Sequence, residues 1–189
     1  MPTYMGEEEV IKKNMALAQE QIYNVEYMEA LPELIDGRLY YMAAPTRTHQ
    51  RLVMFLSGNI WNYIKEKNCG CQVYPAPLAL YLDEDGYTYL EPDLMVVCDN
   101  SKMDEKGCHG APDLIAEIVS PSTRSRDYLL KLNKYQSAGV REYWILDMEK
   151  DVILIYDFEH EKVFSYGWED KVGSIGFEDL VIDFSGFAR

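Results

Sequence analysis

Two carboxylates interrupt stretches of sequence that are otherwise apolar. Asp93 opens the run Asp93-Leu-Met-Val-Val-Cys98, Glu117 sits inside Leu114-Ile-Ala-Glu-Ile-Val119, and Lys131 follows further along the chain. A carboxylate taken out of water without a partner is expensive or holds a proton, so an ionised pair at such places calls for a bound cation or a paired base. Carboxylates with open water positions suit Mg²⁺ or Mn²⁺, which take oxygen ligands in an octahedral shell. An ion of that kind can polarise a phosphodiester and activate a water for in-line attack, which is the outline of a metal-dependent hydrolase. The same spacing is equally compatible with structural roles, Asp93 capping a strand after Pro92 and Glu117 pairing with Lys131 or Arg124.

The elements that must position these groups follow from hydrophobic periodicity. Residues 7–20 and a stretch from Asn24 to about Ala30 predict an N-terminal helical segment. Leu34-Ile-Asp-Gly-Arg-Leu-Tyr-Tyr-Met42 predicts a hairpin turning at Asp36-Gly37, with Glu33 just before its first strand. Leu52, Val53, Leu56, Ile60, Trp61 and Ile64 recur at helical spacing and predict a long helix from Thr46 to about Lys67. Strands are expected at Gln72–Tyr74, Leu78–Leu82 and Thr88–Leu90, then at Asp93–Cys98 and Leu114–Val119, whose unbroken hydrophobicity suits strands covered on both faces. A helix over Ser125–Ala138, ended by Gly139, leads to three further strands, so a crossover is expected. The fold class is α/β, a central mixed β-sheet flanked by helices in one domain spanning residues 1–189.

On the predicted helix, Asp127, Lys131 and Tyr135 stand four residues apart and share a face, with Lys134 beside them. One consequence is a solvated face with a weak Asp127–Lys131 pair. The other is an ammonium that reaches the acids to hold a scissile phosphate or an attacking water. His49 starts the long helix, where a single histidine more often makes local hydrogen bonds than performs catalysis. No glycine-rich phosphate loop, Gly-x-Ser-x-Gly elbow or His-Glu-x-x-His helix is present.

The formal charge of −14 argues against broad nucleic-acid binding, since phosphate contacts normally come from a basic surface. Residues 119–142 nevertheless hold Arg124, Arg126, Lys131, Lys134 and Arg141 against Asp127 and Glu142, a local excess of positive charge. No export signal or membrane span is expected, so the chain reads as cytoplasmic with no membrane partner. Cys69, Cys71, Cys98 and Cys108 lack zinc-site spacing and are expected to be reduced thiols. The aromatic residues, Tyr143, Trp144 and Trp168 among them, could supply a homodimer interface or fill the core.

Taken together, Pro-Glu-Leu-Ile-Asp-Gly (32–37), His49, Glu-Pro-Asp-Leu-Met-Val-Val (91–97), Gly-Ala-Pro-Asp-Leu-Ile-Ala-Glu-Ile-Val-Ser-Pro-Ser-Thr (110–123), Asp127 with Lys131 and Tyr135, and Gly-Val-Arg-Glu-Tyr-Trp-Ile-Leu-Asp (139–147) resemble the Uma-two family of restriction endonucleases. That resemblance implies a restriction-endonuclease-like fold of the PD-(D/E)xK superfamily and a divalent-metal endonuclease acting on DNA. It implies that Asp93, Glu117 and Glu33 bind Mg²⁺ or Mn²⁺ and that Lys131 completes the catalytic set, with Arg124, Arg126, Lys134, His49 and Tyr135 as substrate-binding residues. Two residues after Glu117 the superfamily usually has lysine, and here Val119 stands there; the resemblance implies that the lysine has migrated to the helix as Lys131. The alternatives are a non-catalytic interaction module that keeps the fold, and a hydrolase of a small phosphodiester.

Overall fold

The computed structural model describes residues 12–14, 16, 32–83 and 86–187. The second predicted N-terminal helix lies outside these residues, and of the first only 12–14 and 16 are described, all helical. Asp36 and Gly37 both take positive φ, 50° and 71°, and turn strand β1 (Glu33–Ile35) back into β2 (Arg38–Tyr40) as the sequence predicts. Thr46 then caps helix α1 (Arg47–Lys67), its side chain accepting from the His49 N–H at 3.2 Å, and Asn68 ends the helix in the left-handed region.

The chain continues through β3 (Gln72–Pro75), β4 (Ala79–Tyr81), β5 (Tyr89–Leu90), β6 (Leu94–Val97), β7 (Met103–Asp104), β8 (Gly107–His109) and β9 (Leu114–Ile118). After β9 a π-helical turn over Arg126–Lys131 runs directly into helix α2 (Leu132–Ala138), which Gly139 closes at φ 90°. Strands β10 (Glu142–Asp147), β11 (Val152–Asp157), β12 (Lys162–Tyr166), β13 (Lys171–Gly173) and β14 (Val181–Asp183) complete the order.

The central sheet has the order β12-β11-β10-β9-β6-β3. Strands β9 and β10 are parallel, so the segment containing α2 is the expected crossover, and β6 lies antiparallel to β9. A second six-stranded sheet, β2-β1-β5-β4-β8-β7, which the sequence does not single out, joins the helices against the central sheet. Its Ile35, Leu80, Leu90 and Cys108 pack with Met95, Val97, Ile115, Tyr135, Tyr143 and Ile145 on one face of the central sheet. Leu52, Val53, Leu56 and Ile60 of α1 cover the opposite face together with Val172 and Ile182 of the β13–β14 hairpin. Covered on both sides, β6, β9 and β10 are buried at every position, which is the burial their unbroken apolar runs require.

One expectation is corrected here, and one open alternative is decided. Cys71 and Cys98 form a disulfide and are not reduced thiols, because the β3–β6 register that pairs Gln72 with Val97 sets them directly across from each other; Cys69 and Cys108 are free. Tyr143, Trp144 and Trp168 are all buried in the core, so none of them offers an exposed interface. Among the described residues, no helix is long and apolar enough to cross a membrane.

Candidate active site

Strand register brings the two carboxylates together. Leu94 pairs with Ala116 in the β6–β9 ladder, and one further step sets Asp93 across from Glu117 on the face that also presents Met95 and Ile115. Asp93 is tied to the backbone of the neighbouring strand, its Oδ2 accepting from the Ile118 N–H at 2.7 Å. The same oxygen accepts from His49 Nε2 at 3.1 Å.

Lys131 reaches this point from the π-helical turn. Its Nζ lies 2.7 Å from Glu33 Oε1, 2.9 Å from Glu117 Oε1 and 3.7 Å from Asp127 Oδ1. Tyr135, one turn further into α2, donates its hydroxyl to Glu117 Oε1 at 2.7 Å. Glu33 comes from the second sheet, and Arg126 approaches its other oxygen at 3.5 Å while lying 5.3 Å from the centre of the Tyr40 ring. Lys131 is 2% exposed and Glu33 0%, whereas the His49 and Asp93 side chains are 14% and 19% exposed. Among the described residues, the cluster is thus more enclosed around the ammonium than on its His49–Asp93 side.

Protonation follows from this crowding. Burial raises Glu117 above the usual carboxylate range, and nearby Asp93, Asp127 and Glu33 push it the same way against the opposing charge of Lys131. Asp127 is raised by burial as well, although Lys131 and a hydrogen bond with Thr123 oppose the shift. Burial alone would lower Lys131, but the charges of Glu117, Glu33 and Asp127 outweigh it and hold the ammonium charged. His49 balances burial, which lowers it, against its hydrogen bond with Asp93 and the charge on that residue, and the net shift is upward. Glu91, bonded by the Tyr89 hydroxyl, is raised by burial and by Glu33.

Of the residues expected at the site, Glu33, Asp93, Glu117, Lys131, His49, Tyr135 and Arg126 meet in this one region, Tyr135 and Arg126 through their bonds to Glu117 and Glu33. Arg124 turns instead to Asp147, at 3.1 and 3.2 Å, and to Glu149 at 2.7 Å. Lys134 pairs with Asp36. The solvated Asp127–Lys131 face is not what forms, since both side chains are buried. Sequence reasoning assigned no site role to Glu91 or Asp127. The available signals were the position of Glu91 two residues before Asp93 and the four-residue step from Asp127 to Lys131.

Among the described residues, no three His, Cys, Asp or Glu side chains are gathered into a ready-made metal cage. The donor chemistry nevertheless fits a hard cation: two facing carboxylates are what Mg²⁺ commonly takes from a protein, its other positions going to water and substrate phosphate. Asp127 Oδ1 is buried near them without a hydrogen-bond partner among the described residues, its nearest cation being Lys131 Nζ at 3.7 Å.

A family model described as "Putative restriction endonuclease", Uma2, matches residues 20–172. The chain belongs to the Uma2 family. The matched span includes every member of the acid–lysine cluster. Among solved structures, the Uma2 chain is similar to "a putative nuclease belonging to DUF820 from Anabaena variabilis ATCC 29413", with a TM-score of 0.71 and 16% identity over 89% of this chain and 95% of that one. The two share the restriction-endonuclease-like fold. Comparison with curated proteins gave no match.

Proposed function

We propose that this Uma2 chain is a metal-dependent endonuclease that hydrolyses phosphodiester bonds in DNA. The observation that carries this reading is the meeting of Lys131 with Glu117 and Glu33 at 2.9 and 2.7 Å, although the lysine comes from a helix and not from the strand of Glu117. Asp93 and Glu117 would hold Mg²⁺ or Mn²⁺, with Glu33 as the additional acid of the set. Such a cation, when bound, supplies Lewis-acid stabilisation and a more acidic water.

The chain's own groups divide the remaining work. Ile118 N–H fixes the Asp93 carboxylate, and the Tyr135 hydroxyl fixes Glu117. Lys131 offsets negative charge gathering on the phosphate and orients the attacking water, so the transition state meets a charge already in place. His49 and Asp93 are more exposed than Lys131, Glu33 and Glu117, so the scissile group approaches from their side.

Cleavage of supercoiled plasmid and of single-stranded oligonucleotides with Mg²⁺ or Mn²⁺ tests this, comparing wild type with Glu117→Gln and Lys131→Ala. Loss of cleavage in both variants is expected, and equal activity in all three proteins would overturn the assignment. A second reading, hydrolysis of a small phosphodiester, is favoured by the engagement of Arg124, Arg126, Lys131, Lys134 and Arg141 with acidic partners, which leaves little basic track for a polymer. Turnover of bis(p-nitrophenyl) phosphate without DNA cleavage would select it.

A further inference from the structure

The Asp93 carboxylate is gripped on one oxygen only. Among the described residues, its polar contacts fall on Oδ2, from the Ile118 N–H at 2.7 Å and His49 Nε2 at 3.1 Å. The imidazole is held as firmly as the group it touches. Thr46 caps the first turn of α1 through the His49 N–H itself, and Leu52, Val53 and Leu56 anchor the following turns in the core. His49 Nδ1 is buried and has no hydrogen-bond partner among the described residues. With Nε2 committed to Asp93 and Nδ1 enclosed, the ring is badly placed to deliver a proton to a substrate or to ligate a metal.

We propose that His49 is a positioning residue, which by donating to Oδ2 fixes the Asp93 carboxylate so that Oδ1 is left to bind the divalent cation. This rests on the metal-dependent reading above and adds to it an outer partner that orients a ligating carboxylate. Outer hydrogen bonds of this kind tune metal affinity by about 10–100-fold. The arrangement also links α1 to the mouth of β6, so the packing of one helix against the sheet sets the orientation of a metal ligand on the other side of the same connection.

The test is calorimetric titration of the whole chain with Mn²⁺, together with electron spin echo spectra of the bound ion. Wild type is compared with His49→Ala and His49→Leu, which remove the donor with and without leaving a cavity, with His49→Gln, whose amide can donate from a similar place, and with Asp93→Asn. The expected result is a loss of about 10–100-fold in Mn²⁺ affinity for whichever donor-free variants fold, with most of it restored by His49→Gln. The wild-type spectrum should show oxygen ligands and no directly coordinated nitrogen. Unchanged affinity in a folded donor-free variant overturns the proposal, as does failure of His49→Gln to restore binding, or a directly bound nitrogen. If Mn²⁺ binding is lost in Asp93→Asn but indifferent to His49, the positioning role alone falls. If wild type binds no Mn²⁺, or binding is indifferent to Asp93, the metal-dependent reading falls with it.

Discussion

Lys131 is the residue on which the cluster balances. Removing one member of a buried, hydrogen-bonded ion pair leaves the other charge stranded, at a typical cost of about 3–5 kcal/mol. Lys131→Met should therefore destabilise the chain by that order in denaturant unfolding, and the double variant Lys131→Met/Glu117→Gln should recover part of the loss. The protonation of Glu117 gives a second expectation. Its pKa in the folded chain lies above the value of about 4.3 usual for an unfolded glutamate, so the native state keeps a proton that the unfolded state releases. Stability of the metal-free protein should then fall as pH rises from about 4.3 through the raised native pKa. Asp127 contributes in the same sense. Thermal unfolding followed across that window should show the decline in wild type and a flatter profile in Glu117→Gln. Mn²⁺ binding, which needs the carboxylates ionised, should strengthen over the same range. Asp93, Glu117 and Lys131 were legible in the sequence because acids break an apolar run wherever they fall. The burial of Asp127 was not, because an acid four residues before a lysine has the same spacing whether it faces solvent or a second sheet.

At the level of elements, what could be read were the pieces with strong local signals. The Asp36-Gly37 hairpin, the capped helix α1 and the unbroken apolar strands β6 and β9 all form where the sequence predicts them. The two-residue strand β7 and the β13–β14 hairpin are too short to impose a period, and their pairing is decided by the surface they cover. The Cys71–Cys98 bridge escaped for a related reason: its halves are 27 residues apart, and only the β3–β6 register makes them neighbours. Likewise the helix predicted over 125–138 divides into a π-helical turn, which brings Lys131 onto Glu117 with Asp127 beside the ammonium, and α2, whose Tyr135 bonds the same carboxylate. Gly139 closes that element at φ 90° with its N–H bonded to the carbonyls of Gln136 and Tyr135. Gly139→Ala would force a Cβ into the left-handed region and should cost about 1–2 kcal/mol in equilibrium unfolding. The loosened end of α2 should also lower cleavage through Tyr135, which a parallel activity assay would detect.

Across the whole molecule, charge is organised differently from its sequence tally. The local excess of cations in residues 119–142 does not form an open basic track, because each of the five is engaged by an acid from outside that segment: Arg126 and Lys131 by Glu33, Lys134 by Asp36, Arg141 by Asp113 and Arg124 by Asp147. With a formal charge of −14 the chain has little with which to displace counterions from a polyanion. DNA binding, measured by fluorescence anisotropy with Ca²⁺ in place of Mg²⁺, should accordingly show a shallow salt dependence, with a slope of log K against log salt near about −2. A slope several times steeper would mean that the ion pairs open on binding. Divalent cations should also stabilise the fold as a whole: at about a hundredfold excess over Kd, Mn²⁺ should add about 2.7 kcal/mol, and Asp93→Asn should abolish the gain.

The delivery of the amine from a helical segment releases the strand from carrying it. Position 119, two residues after Glu117, carries no charged stem: Val119 is buried in the same cluster as Ile115. For the proposed chemistry, what counts is the place where the nitrogen ends, not the spot on the backbone from which it sets out. On the proposed reading, a search keyed to an acid-x-lysine spelling along one strand would pass over a chain built in this way.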